Sequence, residues 1–248
     1  MAVVFEKTNM LTDAVFHYCP GCTHGIIHRL VAECIDELGI EGKTIGVVPV
    51  GCSVMAYKYF NCDCAEAAHG RAPAVATGIK RCEPDCVVFS YQGDGDLASI
   101  GLSEILCAAN RGEKITVIFA NNSTYGMTGG QMAPTTLIGQ KATTAPAGRC
   151  AEVDGYPTDM CALLSTFQAP SYIARCALNS VSGVKAAKAA IKTAFQHQID
   201  GDAFSFVELM TNCPTNWGMQ PLETFEFMNE CTLKQFPVGV MRDRKEEH

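Results

Sequence analysis

The feature that most constrains this chain is a series of short apolar segments separated by helical patterns. Three such segments lie at 44–50 (TIGVVPV), 86–91 (CVVFSY) and 115–120 (ITVIFA). Apolar runs of this length are typical of strands that are buried on both faces of a sheet. Helical periodicity lies around them, at 24–38, 74–80 and 97–109. Strands that alternate with helices predict an α/β fold, in which a mostly parallel sheet is covered by helices on both faces.

The second half of the chain continues this alternation after a long irregular segment. Residues 123–155 show no regular periodicity and are rich in Gly, Thr and Pro, which is typical of functional loops. No internal repeat or low-complexity linker is visible, so we expect one domain over residues 1–248. The further elements that we expect are a helix at 158–167, a strand at 172–177, a helix at 184–197, a strand at 204–209, a polar turn at 211–217 and an amphipathic C-terminal segment.

Composition narrows the possible function classes. The formal net charge is −7 and only 18% of the residues are charged, whereas binding to nucleic acid needs clustered Lys and Arg. No stretch approaches the roughly 18 apolar residues of a membrane span, and residues 1–9 lack the basic and apolar regions of a signal peptide. We therefore expect no nucleic-acid partner, no membrane, and a cytoplasmic location in which the 14 Cys stay reduced.

The loop at 93–96 (GDGD) follows a predicted strand and allows more than one interpretation. It can be a tight turn, in which glycines give backbone freedom and an aspartate caps the next helix. The pattern G-x-G-x-x-A that begins at Gly93 also fits the nicotinamide fingerprint of an NAD-dependent dehydrogenase. However, the aspartates of the loop would repel a pyrophosphate. The next strand also ends in Asn121-Asn122 rather than in the acidic residue that a ribose hydroxyl needs.

A divalent cation between the protein and a diphosphate would explain both the aspartates of the loop and the asparagines after the next strand. Asp94 offers an anionic oxygen and Asn122 a neutral one, a combination suited to Mg²⁺ or Ca²⁺. Gly93 and Gly95 allow backbone N–H groups to approach phosphate oxygens, and the N-terminus of the following helix favours their charge. GDG, then 25 residues (96–120), then NN together have the spacing of the thiamine diphosphate motif.

Beyond this motif, the chain resembles the thiamine-diphosphate-binding β subunits of 2-oxoacid:ferredoxin oxidoreductases over nearly its whole length. The resemblance rests on CPGC at 19–22, VGCS at 50–53, HGR at 69–71, VATG at 75–78, GDGDLASIG at 93–101, NNSTYGMTGGQ at 121–131 and CPTNW at 213–217. It implies that Mg²⁺ is held by Asp94, Asn122 and the carbonyl oxygen of Thr124. It also implies contacts with thiamine diphosphate from Ser53, His69, Gly70, Gly93, Gly95, Asp96, Tyr125, Gly126, Met127 and Thr128.

The same resemblance assigns four of the cysteines. Spacing alone leaves zinc and an iron–sulfur cluster open for four thiolates, but the corresponding residues of related subunits bind one 4Fe-4S cluster. In this sequence they are Cys19, Cys22, Cys52 and Cys213. The ten other cysteines receive no chemistry, and Cys34 and Cys107 are predicted to be small core residues. His17, His24 and His28 are candidate metal ligands near the first cysteine pair, but roles at the helix surface or in capping are favoured.

The resemblance implies an oxidative decarboxylation. A 2-oxoacid, coenzyme A and oxidised ferredoxin give an acyl-CoA, CO₂ and reduced ferredoxin, with the electrons passing through the 4Fe-4S cluster. We find no second α/β module that could carry the carboxylate that activates the aminopyrimidine, so no catalytic residue is assigned. We therefore expect activity only with an α subunit that carries the pyrimidine-side domain. A γ subunit and a ferredoxin-like subunit are expected to complete the complex.

The substrate is predicted from one loop and one position. Residues 130–137 (GQMAPTTL) look most like members that act on branched-chain 2-oxoacids, such as 3-methyl-2-oxobutanoate, with 2-oxoglutarate as the alternative. Some relatives place a basic residue three positions after the third cluster cysteine, where this chain has Met55, and this difference favours an apolar substrate. A non-catalytic iron–sulfur electron-transfer subunit is an alternative of another class, but it would have no use for the GDG and NN pair.

Overall fold

The apolar runs form inner strands of a seven-stranded sheet in a computed structural model that describes residues 6–245. In chain order the strands are β1 (Thr44–Val48), β2 (Asp63–Glu66), β3 (Val87–Gly93), β4 (Thr116–Asn121), β5 (Thr124–Tyr125), β6 (Gln131–Met132), β7 (Tyr172–Ala177), β8 (Ser205–Met210) and β9 (Gly239–Asp243). The sheet has the order β2-β1-β3-β4-β8-β7-β9, and β5 pairs with β6 separately. Every neighbouring pair in the large sheet is parallel except β7 and β9. The prediction of a mostly parallel sheet is confirmed.

Helices cover both faces of this sheet. They are α1 (His24–Leu38), α2 (Ala72–Cys82), α3 (Leu102–Arg111), α4 (Ala151–Asp154), α5 (Met160–Ser165), α6 (Val181–Ile199), α7 (Pro214–Trp217), α8 (Pro221–Phe227) and α9 (Leu233–Gln235). Short 3₁₀ segments cover Glu41–Lys43 and Val54–Lys58, and π-helical turns cover Gly95–Ile100 and Met228–Thr232. The described residues contain no helix that is both long enough and apolar enough to span a membrane.

The unbroken apolar runs are explained by two hydrophobic cores, one on each face of the sheet. In β4, Ile118 and Ala120 pack into the core beneath α1 and α6, whereas Val117 and Phe119 pack into the core beneath α2, α3 and α5. Successive side chains of a strand point to opposite faces, so a strand between two helical layers needs apolar residues at every position.

Several predicted boundaries differ from the structure for identifiable reasons. The helix predicted at 97–109 is divided into the π-helical turn and α3, and the strand predicted at 44–50 ends at Val48. Strands β2 and β9 were not predicted, because both lie at sheet edges and are partly exposed, so neither carries an apolar run. The prediction about a signal peptide falls partly on residues 1–5, which lie outside the described residues.

Candidate functional site

A cavity of about 100 Å³ lies at the carboxyl ends of β1, β3 and β4, where parallel α/β sheets bind their ligands. Its lining contains Cys52 and every residue predicted to contact the cofactor or Mg²⁺, except Gly70. His24, Val50 and Gly51 complete the lining. A larger cavity of about 640 Å³ lies between α6 and the C-terminal residues, and none of the predicted residues lines it. The small cavity is therefore the candidate site.

Hydrogen bonds connect the three predicted magnesium ligands Asp94, Asn122 and Thr124. Its carboxylate accepts hydrogen bonds from the backbone N–H groups of Gly95 (2.8 Å) and Thr124 (3.0 Å). The side-chain oxygen of Asn122 accepts from the same Thr124 N–H at 3.2 Å. Burial raises the pKa of Asp94 to about 7, and none of the described residues lining the cavity is a Lys or Arg. A buried carboxylate without a cationic partner is a strong site for a hard divalent cation.

Thr135 contacts this carboxylate and Arg149 holds the loop around it, and neither was predicted as a site residue, although Thr135 lies in the loop used to predict the substrate. The Thr135 hydroxyl is fully buried and donates to Asp94 Oδ2 at 2.8 Å. The buried Arg149 guanidinium holds the surrounding loop through donation to backbone carbonyl oxygens. Its acceptors belong to Ala133, Pro134, Thr136, Asp154, Gly155 and Tyr156. Both residues lie within the irregular segment 123–155, where no periodicity marks inward-facing positions.

Asp96 organises a second wall of the cavity. One carboxylate oxygen accepts from the His69 ring Nδ1 and from the Gly70 N–H, each at 2.6 Å, and the other accepts from the Gln92 side chain at 2.6 Å. A side chain at Gly70 (φ +77°) would lie 2.6 Å from the backbone nitrogen of Gly101, so only glycine fits this turn. Asp96 therefore positions the residues at 69–70 beside the cavity.

Close packing also fixes the loop that carries the predicted thiamine contacts. A Cβ at Gly95 would lie 2.3 Å from the Tyr125 ring, so the first helical turn after β3 approaches that ring closely. Ser123 adopts the left-handed conformation (φ +58°), and its N–H donates to the Asn121 side chain at 3.1 Å. Left-handed non-glycine residues are uncommon and concentrate at functional turns.

The four predicted cluster cysteines lie close enough for their charges to interact. Burial, and then the charges of Cys213, Cys22 and Cys19, raise the pKa of the Cys52 thiol to about 12. Burial also raises the pKa of Cys22 to about 11, against the lowering effect of a hydrogen bond from the His24 backbone N–H. Within residues 6–245, no three His, Cys, Asp or Glu side chains form a group arranged to hold a metal ion. The cluster assignment stays a prediction.

Asn216 and Trp217 connect the C-terminal cysteine to the cofactor loop. The Asn216 side-chain N–H₂ donates to the carbonyl oxygen of Gly126 at 2.8 Å and to Cys213 Sγ at 3.2 Å. The indole N–H of Trp217 donates to the carbonyl oxygen of Asn122 at 3.1 Å. The CPTNW motif therefore packs directly against the NN motif, although 90 or more residues separate these bonded pairs in sequence.

The expectation for two of the three histidines was wrong. His24 and His28 are buried rather than at the helix surface, because this face of α1 packs onto the sheet. His28 Nε2 forms a hydrogen bond with the Tyr18 hydroxyl at 2.7 Å, and His24 Nδ1 forms one with the Tyr91 hydroxyl. His17 is exposed, but it lies before α1 rather than on a helix.

Two cysteines test the prediction of small core residues. Cys34 is fully buried and belongs to the core beneath α1 and α6, as predicted. Cys107 is exposed, so its prediction was wrong. It lies on the face of α3 away from the buried Ile105 and Ala109, since positions two residues apart on a helix point in nearly opposite directions.

A buried ionic network lies behind the NN motif. Glu208 is fully buried and accepts from the Asn121 side chain at 2.7 Å and from Arg175 Nε at 2.7 Å. Cys161 Sγ donates to the same carboxylate at 3.1 Å. Arg175, 2% exposed, also pairs with Asp159. This network fixes the end of β4 from which Asn122 projects.

Comparison with known sequences identifies the domain. Residues 49–209 match the family described as thiamine pyrophosphate enzyme, C-terminal TPP binding domain. The chain is 51% identical over 244 residues to the ketoisovalerate oxidoreductase subunit VorA of Methanothermobacter thermautotrophicus, covering 98% of this chain and 51% of that protein. It therefore spans about half the length of that relative. It is 36% identical over 246 residues to the 2-oxoglutarate synthase subunit KorB of Methanocaldococcus jannaschii, covering 96% of this chain and 85% of that protein.

Comparison with solved structures agrees on the fold. The 2-oxoglutarate:ferredoxin oxidoreductase from Magnetococcus marinus superposes with a TM-score of 0.79 at 24% identity, covering 95% of this chain and 84% of that chain. The predicted α/β fold is thereby confirmed. The nicotinamide interpretation of the GDGD loop finds no support, because the matched domain binds thiamine pyrophosphate. The chain belongs to the family of thiamine-diphosphate-binding subunits of 2-oxoacid oxidoreductases.

Proposed function

We propose that this chain is the β subunit of a 2-oxoacid:ferredoxin oxidoreductase that forms an acyl-CoA and CO₂ from a branched-chain 2-oxoacid and coenzyme A. The observation that carries the proposal is the meeting of Asp94, Asn122 and Thr124 at one backbone N–H, in a buried cavity that Cys52 also lines. Bound thiamine diphosphate supplies the electron sink that decarboxylation of a 2-oxoacid requires. The protein supplies the groups that hold and orient it.

The donor set fits magnesium and a diphosphate. Asp94 is a buried carboxylate whose pKa is raised by burial, and none of the described cavity residues is a Lys or Arg. A divalent cation would supply that charge, with Asn122 and the carbonyl oxygen of Thr124 as neutral oxygen ligands. The lining glycines Gly93 and Gly95 leave room for phosphate oxygens beside the start of the next helix.

The thiols fit a 4Fe-4S cluster. The pKa values of Cys22, Cys52 and Cys213 are raised by burial and further by the charges of other predicted cluster cysteines, and thiolates are the ligands that such clusters use. The side-chain N–H₂ of Asn216 donates to Cys213 Sγ at 3.2 Å. N–H donors to cluster sulfurs tune reduction potentials, which suits a cluster that passes electrons to ferredoxin.

The cavity supports a site that is shared with a partner. Its volume of about 100 Å³ is well below the roughly 300–1,000 Å³ of a typical small-molecule site. Val50 and Met127 line it and are 39% and 54% exposed, so its wall is open to an additional chain. We assign the missing wall to an α subunit that carries the pyrimidine-side domain and the activating carboxylate. Gamma and ferredoxin-like subunits complete the proposed complex.

The substrate class follows from charge. The cavity lining has no Lys or Arg among its described residues, and Met55 replaces the basic residue of some relatives. A second carboxylate, as in 2-oxoglutarate, would have no cationic partner among the described residues that line the cavity, whereas an apolar branched side chain needs none. The 2-oxoglutarate alternative rests on the KorB relatives.

The cellular compartment of the complex is inferred from the free thiols. All 14 cysteines are free, which supports a reducing cytoplasmic environment. We propose that residues 1–248 act as one diphosphate-binding domain, because both helical layers and the cofactor cavity share a single sheet.

Anaerobic purification with the partner subunits tests the proposal. We expect bound iron, sulfide, magnesium and thiamine, and faster viologen reduction with 3-methyl-2-oxobutanoate than with 2-oxoglutarate. Asp94→Asn should lose thiamine and Cys52→Ser should lose iron, while the exposed controls Asp85→Asn and Cys82→Ser should lose neither. Zinc or a nicotinamide in place of iron and thiamine would overturn the proposed function, and faster reduction with 2-oxoglutarate would overturn the substrate class.

A further inference from the structure

The imidazole ring of His24 lines the cofactor cavity, and the proposed function assigns it no role. Its side chain is 3% exposed and lines the cavity beside Cys52 and Ser53. The ring stacks on Tyr18, with centroids 4.8 Å apart and planes 12° from parallel. Its Nδ1 is bonded to the Tyr91 hydroxyl. This stacking and hydrogen bonding hold the ring in one orientation.

The hydrogen bond to Tyr91 determines which ring nitrogen carries the proton. Tyr91 is fully buried, and across the described residues its hydroxyl has no hydrogen-bond partner except His24. A buried hydroxyl gives its proton to an available acceptor, so Tyr91 donates to Nδ1. A neutral imidazole then carries its own proton on Nε2. The second nitrogen of His24 is therefore an N–H donor.

This donor faces the cavity. Within residues 6–245, Nε2 of His24 has no hydrogen-bond partner. It is also not one of the fully enclosed side-chain atoms without a partner, so a ligand in the cavity can reach it. The neighbouring Ser53 is 1% exposed, and its hydroxyl has no hydrogen-bond partner in the described chain. Two hydrogen-bonding groups thus stand beside Cys52 without a protein acceptor, and buried polar groups of this kind indicate a ligand.

We propose that His24 is a substrate-binding residue whose Nε2–H donates a hydrogen bond to the carboxylate or the keto oxygen of the 2-oxoacid. The assignment rests on the proposed function. A 2-oxoacid brings only acceptor oxygens at its reacting end, and the described cavity residues include no Lys or Arg to receive them. A neutral N–H beside a carboxylate oxygen forms a charge-assisted hydrogen bond without introducing a second buried charge, and beside a keto oxygen it forms an ordinary one.

The test compares two substitutions of His24 in the anaerobically purified complex. His24→Phe keeps a ring of similar shape and removes the donor, whereas His24→Gln keeps an N–H donor. The substrates are 3-methyl-2-oxobutanoate and 2-methylpropanal, the aldehyde that lacks its carboxylate. Because a hydrogen bond to a charged group is lost, we expect His24→Phe to lower kcat/KM for the 2-oxoacid by about 10- to 100-fold. His24→Gln should recover most of that loss, with iron content and thiamine affinity unchanged in both variants.

The aldehyde distinguishes the two oxygens. A loss confined to the 2-oxoacid assigns the bond to the carboxylate, and an equal loss with both substrates assigns it to the keto oxygen. Tyr91→Phe should cause a smaller loss in the same direction, because Nδ1 is then free to take the proton. Tyr59→Phe is the matched control and should leave kcat/KM unchanged, since among residues 6–245 its hydroxyl bonds only the exposed His17 in the same aromatic cluster.

Three results would overturn the inference. The first is a kcat/KM of His24→Phe within about threefold of that of the wild-type complex. The second is an equal loss of kcat/KM in His24→Phe and His24→Gln. The third is a loss of iron or thiamine that parallels the loss of activity. Failure of the proposed function itself looks different, because the wild-type complex would then bind no thiamine and would reduce no viologen with any 2-oxoacid.

Discussion

Replacing Thr135 with valine removes one hydrogen bond from the proposed magnesium ligand Asp94 while preserving side-chain shape. The Asp94 carboxylate receives three hydrogen bonds from other groups, from the N–H groups of Gly95 and Thr124 and from the Thr135 hydroxyl at 2.8 Å. Valine is nearly isosteric with threonine but cannot donate, so Thr135→Val leaves Asp94 with two donors. The ionised form that binds a metal ion is then less stable and less well oriented.

The magnitude follows from the charge of the acceptor. A hydrogen bond to a charged group contributes about 1.5–3 kcal/mol, and about 1.4 kcal/mol corresponds to a factor of ten in an equilibrium constant. Loss of an outer partner of a metal ligand typically weakens metal affinity by about 10- to 100-fold. We therefore expect Thr135→Val to weaken Mg²⁺ binding by about 10- to 100-fold, and Thr135→Ser to stay near the wild-type value.

Calorimetric titration of the complex with Mg²⁺, at saturating thiamine diphosphate, measures this affinity. Thr136→Val is the matched control, because Thr136 is also fully buried and also donates a hydrogen bond, but to the carbonyl oxygen of Ser123 at 2.6 Å rather than to Asp94. Equal Mg²⁺ affinity in Thr135→Val and the wild type would refute the reasoning. So would equal weakening in Thr135→Val and Thr136→Val, since that result would indicate a general disturbance of the loop.

Three further predictions concern the residues around this carboxylate. Glu208→Ala leaves the buried Arg175 guanidinium without its main partner, so we expect a loss of about 3–5 kcal/mol in unfolding free energy. In urea titrations, Glu208→Leu combined with Arg175→Met should cost less than either single change, and a larger cost would contradict this view. Gly95→Ala introduces a Cβ 2.3 Å from the Tyr125 ring, and unchanged thiamine affinity in that variant would contradict the packing argument. Burial raises the folded-state pKa of Asp94 to about 7 from 3.8, so the folded metal-free protein holds a proton that the unfolded chain releases between about pH 4 and 7. The unfolding free energy of the wild type, relative to that of Asp94→Asn, should therefore fall as the pH rises through that range. Urea unfolding at pH 5 and pH 8 measures it, and the same difference between the two proteins at both pH values would be inconsistent with the raised pKa.

Much of the architecture could be predicted from the sequence, because periodicity reports burial directly. The strand at 172–177 and the helix at 24–38 have the predicted bounds. Strands β2 and β9 escaped prediction because sheet edges are only partly buried. Cys107 was misplaced because a helix has two faces, and residue type alone does not indicate which face is turned inward.

Some residues of the candidate site could also be predicted from the sequence, and others could not. Asp94 and Asn122 were predicted from motif spacing, because loops that follow neighbouring parallel strands meet at one sheet edge, whereas Thr124 was predicted from the family resemblance alone. The roles of Thr135 and Arg149 were not predicted, since a single polar residue in an irregular segment carries no pattern. The inward position of His24 was also missed, because it depends on how α1 is rotated against the sheet.

By itself, the sequence determined the α/β class, the edge of the sheet that binds the ligand, and the residue types that meet there. These follow from burial and from local spacing, which act over a few residues. Only the tertiary structure decided which distant groups complete the site, such as the Thr135 hydroxyl on Asp94 and the Asn216 amide between Gly126 and Cys213. Such contacts join residues tens of positions apart, and their partners are selected by the packing of whole segments.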